Sequence, residues 1–316
     1  MQDKLIGNTP MVKITYKYKG IENSIYTKLE YYNYSGSIKD RVAAYIINKA
    51  KASGALKEGM AIIEATSGNT GIAFAALGAR YNHPVHIFLP DWVSIERRKI
   101  LELYGAQIHL VSKEEGGFKK AIELADKLAL EINGFRPNQF DNYDNVLAHY
   151  ETTGKEILNY VPQASAFVSG IGTGGTLIGV GKCLKEYNSD IKVIALEPDT
   201  MALLSGGKLT SHKIEGIGDD FIPSIVDKNI IDKIVTISDN DALAMSKLLA
   251  SKLGLAVGIS SGANFLASVM ENKPNVVTVF PDNAFKYLST DLTKEISISD
   301  TSIVNDITLL KVESVV

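Results

Sequence analysis

Two doubly wound, mostly parallel α/β sheets are the architecture this sequence predicts, on three observations. Short apolar runs alternate with helical patterns through most of the chain. The joints where a run passes into a helix are rich in Gly, Ser, Thr and Asn. The 316 residues, 45% hydrophobic and 22% charged, suffice for two cores of ordinary globular composition. Parallel strands require helical crossovers, and ligands collect at the loops leaving their carboxyl ends.

Residues 1–38 read as a lead-in, with a turn at Gly7-Asn8-Thr9-Pro10 and one alternating strand over 25–29. Val42, Ala43, Ile46, Ile47 and Ala50 then fall at helical spacing, with Ser37 placed to cap. Lys39 stands in the first turn of that helix. A cation at the positive end of a helix dipole is either solvated at slight cost or held for chemistry. A lysine amine attacks carbonyl compounds only when part of its population is neutral.

The apolar run 61–65 is broken by Thr66-Ser67-Gly68-Asn69-Thr70-Gly71 and followed by a helix over 72–81. The pattern repeats as strand 85–89, helix 94–104, strand 107–111 and helix 118–132. A second alternating series holds a helix over 153–160, strand 166–169, helix 177–187 and strand 193–198. Residues 200–230 are irregular and contain Glu215-Gly216-Ile217-Gly218-Asp219-Asp220-Phe221. Long loops inside domains are more often functional than idle. Helices over 239–253 and 261–270 and strand 276–280 complete the pattern, and the tail from Ser297 is weakly patterned.

Composition narrows the function. A net charge of -3 offers no basic field for nucleic acid. No apolar stretch approaches the ~20 residues of a membrane helix and no signal peptide is visible, so a cytoplasmic protein is expected. The one cysteine, Cys183, reads as core, and the five histidines lack metal-ligand spacing, so no metal is expected. Gly172-Thr173-Gly174-Gly175-Thr176 lies between strand and helix, where backbone N–H groups and hydroxyls suit phosphate, or where glycines permit close packing. It is neither a P-loop nor a dinucleotide fingerprint. Thr66, Ser67, Asn69 and Thr70 form an uncharged cradle suited to a carboxylate, or a capping sequence.

Asn33-Tyr34-Ser35-Gly36-Ser37-Ile38-Lys39-Asp40-Arg41, the 66–71 loop, the 172–176 loop and Pro281-Asp282-Asn283 resemble the ordered motifs of the cysteine synthase and cystathionine β-synthase family. These are pyridoxal-phosphate enzymes of the tryptophan synthase β-subunit fold. The resemblance spans nearly the whole chain and implies fold type II, with the cofactor in a cleft between two domains. It divides the chain into a smaller, mobile substrate-side domain over 40–147 and a larger cofactor-phosphate domain built from 1–39 and 148–316. It makes Lys39 the Schiff-base lysine and general base, and puts the cofactor phosphate at Gly172, Thr173, Gly174, Gly175 and Thr176. Asn69 would meet the ring hydroxyl. Thr66, Ser67, Thr70 and Gln139 would hold the substrate carboxylate, with Gly216 beside them in the roof of the pocket. Asn283 would face the pyridine nitrogen, where many relatives have serine. A neutral partner there weakens the electron sink, which favours β-elimination over transamination. The implied reaction passes through α-aminoacrylate, and a homodimer is expected.

Departures from the family pattern bear on the substrate. Tyr34 stands where relatives have proline, and Lys155 departs similarly without functional weight. In the roof loop, Asp219 and Asp220 replace the small residues of typical cysteine synthases. One of the two carboxylates can orient water or a thiol, or protonate a departing sulfide, while the other is a solvated turn residue. L-Cysteine is therefore the expected donor, with hydrogen sulfide released and water or a thiol added. The alternatives are cysteine synthesis from O-acetylserine and sulfide, and a catalytically silent binding relative.

Overall fold

The computed structural model describes residues 4–207 and 209–315. Strands β1 (Met11–Tyr18) and β2 (Ile21–Leu29) form a hairpin whose turn residues, Lys19 and Gly20, both have positive φ (49° and 80°), the backbone of a type I′ turn. The chain continues through α1 (Lys39–Ser53), β3 (Ile62–Ala65), α2 (Asn69–Tyr81), β4 (Val85–Pro90), α3 (Ile95–Leu103), β5 (Gln107–Val111) and α4 (Gly117–Glu131). Next come α5 (Asp144–Ala148), a π-turn (His149–Gly154), α6 (Lys155–Tyr160), β6 (Ala166–Gly170), α7 (Gly175–Tyr187) and β7 (Lys192–Pro198). The last elements are β8 (Lys233–Ile237), α8 (Asp239–Leu253), α9 (Ile259–Glu271), β9 (Val276–Phe280) and β10 (Ile307–Ser314).

Two sheets result. The seven-stranded sheet has the order β10-β1-β2-β9-β6-β7-β8 and the three-stranded sheet β3-β4-β5. All pairings from β2 to β8 and within the small sheet are parallel. Accordingly β3 and β9 are buried along their whole length, as strands covered on both faces must be.

The expected two-sheet α/β fold is found, with corrections at its edges. The lead-in contains β1, whose Val12, Ile14 and Tyr16 face the core. The weakly patterned tail contains β10, which pairs antiparallel with β1. Its mostly exposed residues carry little alternation because an edge strand has only one neighbour to satisfy. The helical run before β6 starts at Asp144 rather than Thr153 and includes the π-turn, a feature frequent near functional sites.

The carboxyl ends of β3, β6 and β9 all open toward the start of α1. Ser37 bridges to Asp282 beyond β9, and the Ile38 N–H donates to the Pro281 carbonyl at 2.9 Å. Behind this junction lies a buried ion cluster. Arg41 pairs with Glu30 and Glu156 (both 2.6 Å), and Lys28 with Glu156 at 2.8 Å. Burial alone would raise the Glu30 pKa, but Arg41, Lys28 and Thr9 outweigh it and hold it at about 2. Its stabilising contribution is thus complete above the ordinary glutamate range and lost as pH falls toward about 2. Glu156→Ala would leave buried Lys28 without its carboxylate and Arg41 with Glu30 alone, and is expected to cost about 3–5 kcal/mol, read as a lowered urea midpoint at pH 7.

Candidate active site

Lys39 begins α1, its backbone N–H donating to Ser37 Oγ at 3.2 Å. The preceding turn is fastened to the helix by Asp40, whose carboxylate accepts from the Ser35 N–H (2.9 Å), the Ser35 hydroxyl (2.6 Å) and the Ser37 N–H (3.3 Å). The Lys39 amine donates to Thr173 Oγ1 at 3.4 Å. Burial lowers its pKa to about 8, and the Asp219 carboxylate limits the fall. Tyr34 is exposed, and Arg80 stacks on its ring.

The 172–176 loop joins β6 to α7 and faces the same cavity as Lys39. The first N–H groups of α7 have no intrahelical acceptor, so this end presents donors and the positive end of a dipole. A Cβ on Gly175 would lie 2.0 Å from Asn145 Oδ1, so only glycine lets α5 approach the loop. Asn145 uses that approach to donate to Thr173 Oγ1 at 2.9 Å. Thr176 Oγ1 lies 3.2 Å from His149 Nε2, and His149 Nδ1 lies 3.0 Å from Thr153 Oγ1. Burial, then the nearby Lys39 and Arg41 charges, push His149 well below the ordinary histidine range, so the ring stays neutral with one donor and one acceptor.

Across the cavity stands the 66–70 loop. Gln139 Oε1 accepts from the Thr70 hydroxyl at 2.6 Å while its amide donates to the Ala65 carbonyl at 3.1 Å. Asn69 donates to Asp282 Oδ2 at 2.8 Å and accepts from Lys286 at 2.9 Å, which fixes the orientation of its amide. Asp282 also accepts from the Tyr287 hydroxyl at 2.6 Å, and its Oδ1 is buried without a hydrogen-bond partner. Gly68 has φ 155°, and a Cβ there would meet Arg97 Cδ at 2.5 Å.

The roof segment closes the space. Asp219 lines both the central cavity and an adjoining outer cavity of about 860 Å³, whereas Asp220 is exposed and lines only the outer of the two. Burial raises the Asp219 pKa to about 6; Lys39 opposes the rise and Asp220 adds to it. Gly216 lines both cavities as well.

Lys39, Thr66, Ser67, Asn69, Thr70, Gln139, Gly172, Thr173, Gly174, Thr176, Gly216 and Asp219 therefore surround one cavity. Gly175 lies directly behind it. Asn283 is not brought to it: its Oδ1 accepts from the Phe285 N–H at 3.0 Å, capping a short 3-10 turn, a position asparagine favours. Sequence reasoning missed Asn145, His149, Arg97, Ser260, Asn264 and Lys286. The clue for His149 was its position four residues before Thr153, one turn away within a helical run.

Pyridoxal phosphate fits this arrangement. The amine and the anion-binding loop are 3.4 Å apart, the glycine at position 175 lets α5 and Asn145 close up behind the loop, and the lowered lysine pKa supplies neutral amine.

Comparison with known proteins agrees. A family model described as pyridoxal-phosphate dependent enzyme matches residues 3–282. A cysteine synthase of Staphylococcus aureus is 41% identical over 296 residues, 92% of this chain and 95% of that protein. The crystal structure of a hydrogen sulfide-producing enzyme from Fusobacterium nucleatum is 46% identical, covers 98% of this chain and 97% of its own, and superposes with a TM-score of 0.94. The O-acetylserine dependent cystathionine β-synthase of Helicobacter pylori is 37% identical with a TM-score of 0.84, covering 94% of this chain and all (100%) of its own. With both anion-ready loops and Lys39 inside the matched span, the chain belongs to the family of pyridoxal-phosphate dependent enzymes.

Proposed function

We propose that the protein catalyses β-elimination and β-replacement on cysteine- and serine-type amino acids in sulfur metabolism, with L-cysteine as donor and hydrogen sulfide as leaving product. The observation that carries this reading is Asp219, a carboxylate raised to about 6 that faces Lys39 inside the cavity holding the carboxylate cradle. When bound, pyridoxal phosphate supplies the electron sink for the α-carbon. Gly172, Thr173, Gly174, Gly175 and Thr176 hold its phosphate, and Asn69 donates its remaining amide proton to the ring hydroxyl. Thr66 and Ser67 bind the substrate carboxylate together with the Thr70 N–H, the Thr70 hydroxyl being committed to Gln139, which thereby orients that residue. Lys39 takes the α-proton. The Cα–H electron pair becomes the Cα–Cβ double bond, the Cβ–S pair leaves on sulfur, and Asp219 gives that sulfur its proton.

The 40–147 segment, carrying the cradle and the small sheet, is the smaller unit of the enzyme, and 1–39 with 148–316 the larger. The enzyme works as a cytoplasmic homodimer. Among the described residues no helix is long and apolar enough to cross a membrane.

The cysteine synthase relatives favour a second reading, synthesis of cysteine from O-acetylserine and sulfide. Side-by-side turnover of L-cysteine, O-acetylserine and L-serine separates the two. Sulfide release from cysteine at a rate comparable to or above O-acetylserine consumption is expected; release a hundredfold slower overturns the first reading.

A further inference from the structure

Arg97 has no part in the reading above, yet it is among the largest fully buried side chains, at 1% exposure. It comes from α3, on the small-sheet side, and reaches three places. Its Nη2 donates to the Tyr287 hydroxyl at 2.9 Å, and its guanidinium stacks 4.7 Å over the Tyr287 ring. Its Cδ and Nε pass against Gly68, the residue of the cradle loop that has no Cβ to block them. Its Nη1 forms an ion pair with Glu215, the first residue of the roof segment. Neither the Nε nor the Nη1 has a hydrogen-bond partner, so the contact with Glu215 is an ion pair without a directed hydrogen bond.

The roof is otherwise anchored to its own side of the cleft. The Gly218 N–H donates to the Ile171 carbonyl at 2.8 Å, His212 Nε2 lies 2.8 Å from the Gly218 carbonyl, and a Cβ on Gly172 would meet the Gly216 carbonyl at 2.4 Å. Gly216 and Gly218 both have positive φ (93° and 73°), so the backbone between Glu215 and Asp219 follows a path set by its two glycines. A displacement at Glu215 is passed to Asp219 along a short segment that the Gly218–Ile171 hydrogen bond and the close contact of Gly216 with Gly172 hold in place. Beyond Tyr287 the same chain of contacts runs through Asp282 to Asn69, at the start of α2.

We propose that Arg97 and Glu215 are positioning residues that couple the carboxylate cradle to the roof, so that a substrate carboxylate seated at 66–70 holds Asp219 over Lys39. A carboxylate arriving at Ser67 and Gly68 orders the backbone against which Arg97 is packed. The guanidinium, held by its bond to the Tyr287 hydroxyl and stacked on that ring, then retains Glu215 through the ion pair at Nη1, a double engagement that a lysine ammonium without the planar fork cannot make. This proposal rests on the reading of Asp219 as the group serving the departing sulfur.

The test uses the holoenzyme with L-alanine, an amino acid that carries the carboxylate and has no β leaving group. Hydrogen–deuterium exchange is followed over 66–70 and 215–221. In the parent protein L-alanine is expected to slow exchange in both segments. In Glu215→Gln, whose side chain is partly exposed and tolerates the change, protection at 66–70 remains and protection at 215–221 is lost. The kcat for cysteine falls about tenfold while KM changes less than about twofold, the mark of an interaction made in the transition state. Arg97→Lys is expected to behave alike. Should it fail to fold, Glu215→Gln alone decides. Parental protection at 215–221 together with parental kcat in Glu215→Gln overturns the coupling, even where Asp219→Asn is impaired. Lost protection in Glu215→Gln combined with full sulfide release by Asp219→Asn upholds the coupling and overturns only the role of Asp219.

Discussion

Lys39→Ala is expected to lower sulfide release from cysteine by at least about 10³-fold, within the range a positioned general base supplies. The amine of Lys39 lies 3.4 Å from Thr173 in the 172–176 loop, and its depressed pKa of about 8 supplies the neutral form that the proposed roles of nucleophile and base require. The loss has to be separated from misfolding, and the charge balance does this. Burial disfavours the cationic form of Lys39, so the fold carries a penalty that is full below about 8 and fades as pH rises toward the ordinary lysine value of 10.5. Removing the amine removes the penalty. Lys39→Ala should therefore melt no lower than the parent at pH 7, with any gain shrinking above pH 8. The variant should still take up pyridoxal phosphate through the 172–176 loop but release it on dialysis, whereas the parent retains it. An inactive variant that melts far below the parent would show a structural lysine instead.

How much of this was legible beforehand depended on the physics of each segment. The strand at 276–280 and the helix at 239–253 were legible to the residue, because continuous burial in the one and a helical period in the other write themselves into the residue types. Strands β8 and β10 were not, since both lie at sheet edges with many residues exposed. The same division runs through the site. Lys39 and the two loops could be read because their motifs occur together and in the family's order, although each loop alone read equally as a packing or capping turn. Arg97 could not be read: it sits beside Arg98 on a helix rich in charge, and only tertiary packing turns one of the two arginines into the core. Asn145 and His149 were hidden for a similar reason, reaching the phosphate loop from the helical run 144–160 through a close approach that Gly175 permits. Asn283 shows the converse error, a residue placed by motif whose side chain the local turn has claimed as a cap.

Asp219→Asn is expected to reduce sulfide release from cysteine by about 10²-fold, the low end of general acid catalysis, while changing the consumption of O-acetylserine by no more than about threefold. The asymmetry follows from the leaving groups: hydrosulfide leaves the Cβ atom more readily when protonated, whereas acetate is already a weak base. The pH dependence carries the sharper form of the argument. Asp219 titrates at about 6, and its acid form is the proton donor, so the donated proton becomes scarcer as pH rises through 6. The titration of Lys39 enters both reactions, so the ratio of the cysteine rate to the O-acetylserine rate removes it. That ratio should be level below about 6 and fall with rising pH between 6 and 8, before the free cysteine thiol itself ionises near about 8.5. In Asp219→Asn the ratio should lose this slope and lie low throughout. Asp220→Asn, a change at an exposed residue that raises Asp219 by its own charge, should keep the slope and move it to slightly lower pH. If both asparagine variants release sulfide from cysteine at the parental rate, the carboxylates of the roof have no part in the chemistry, and the donor preference must come from elsewhere in the cavity.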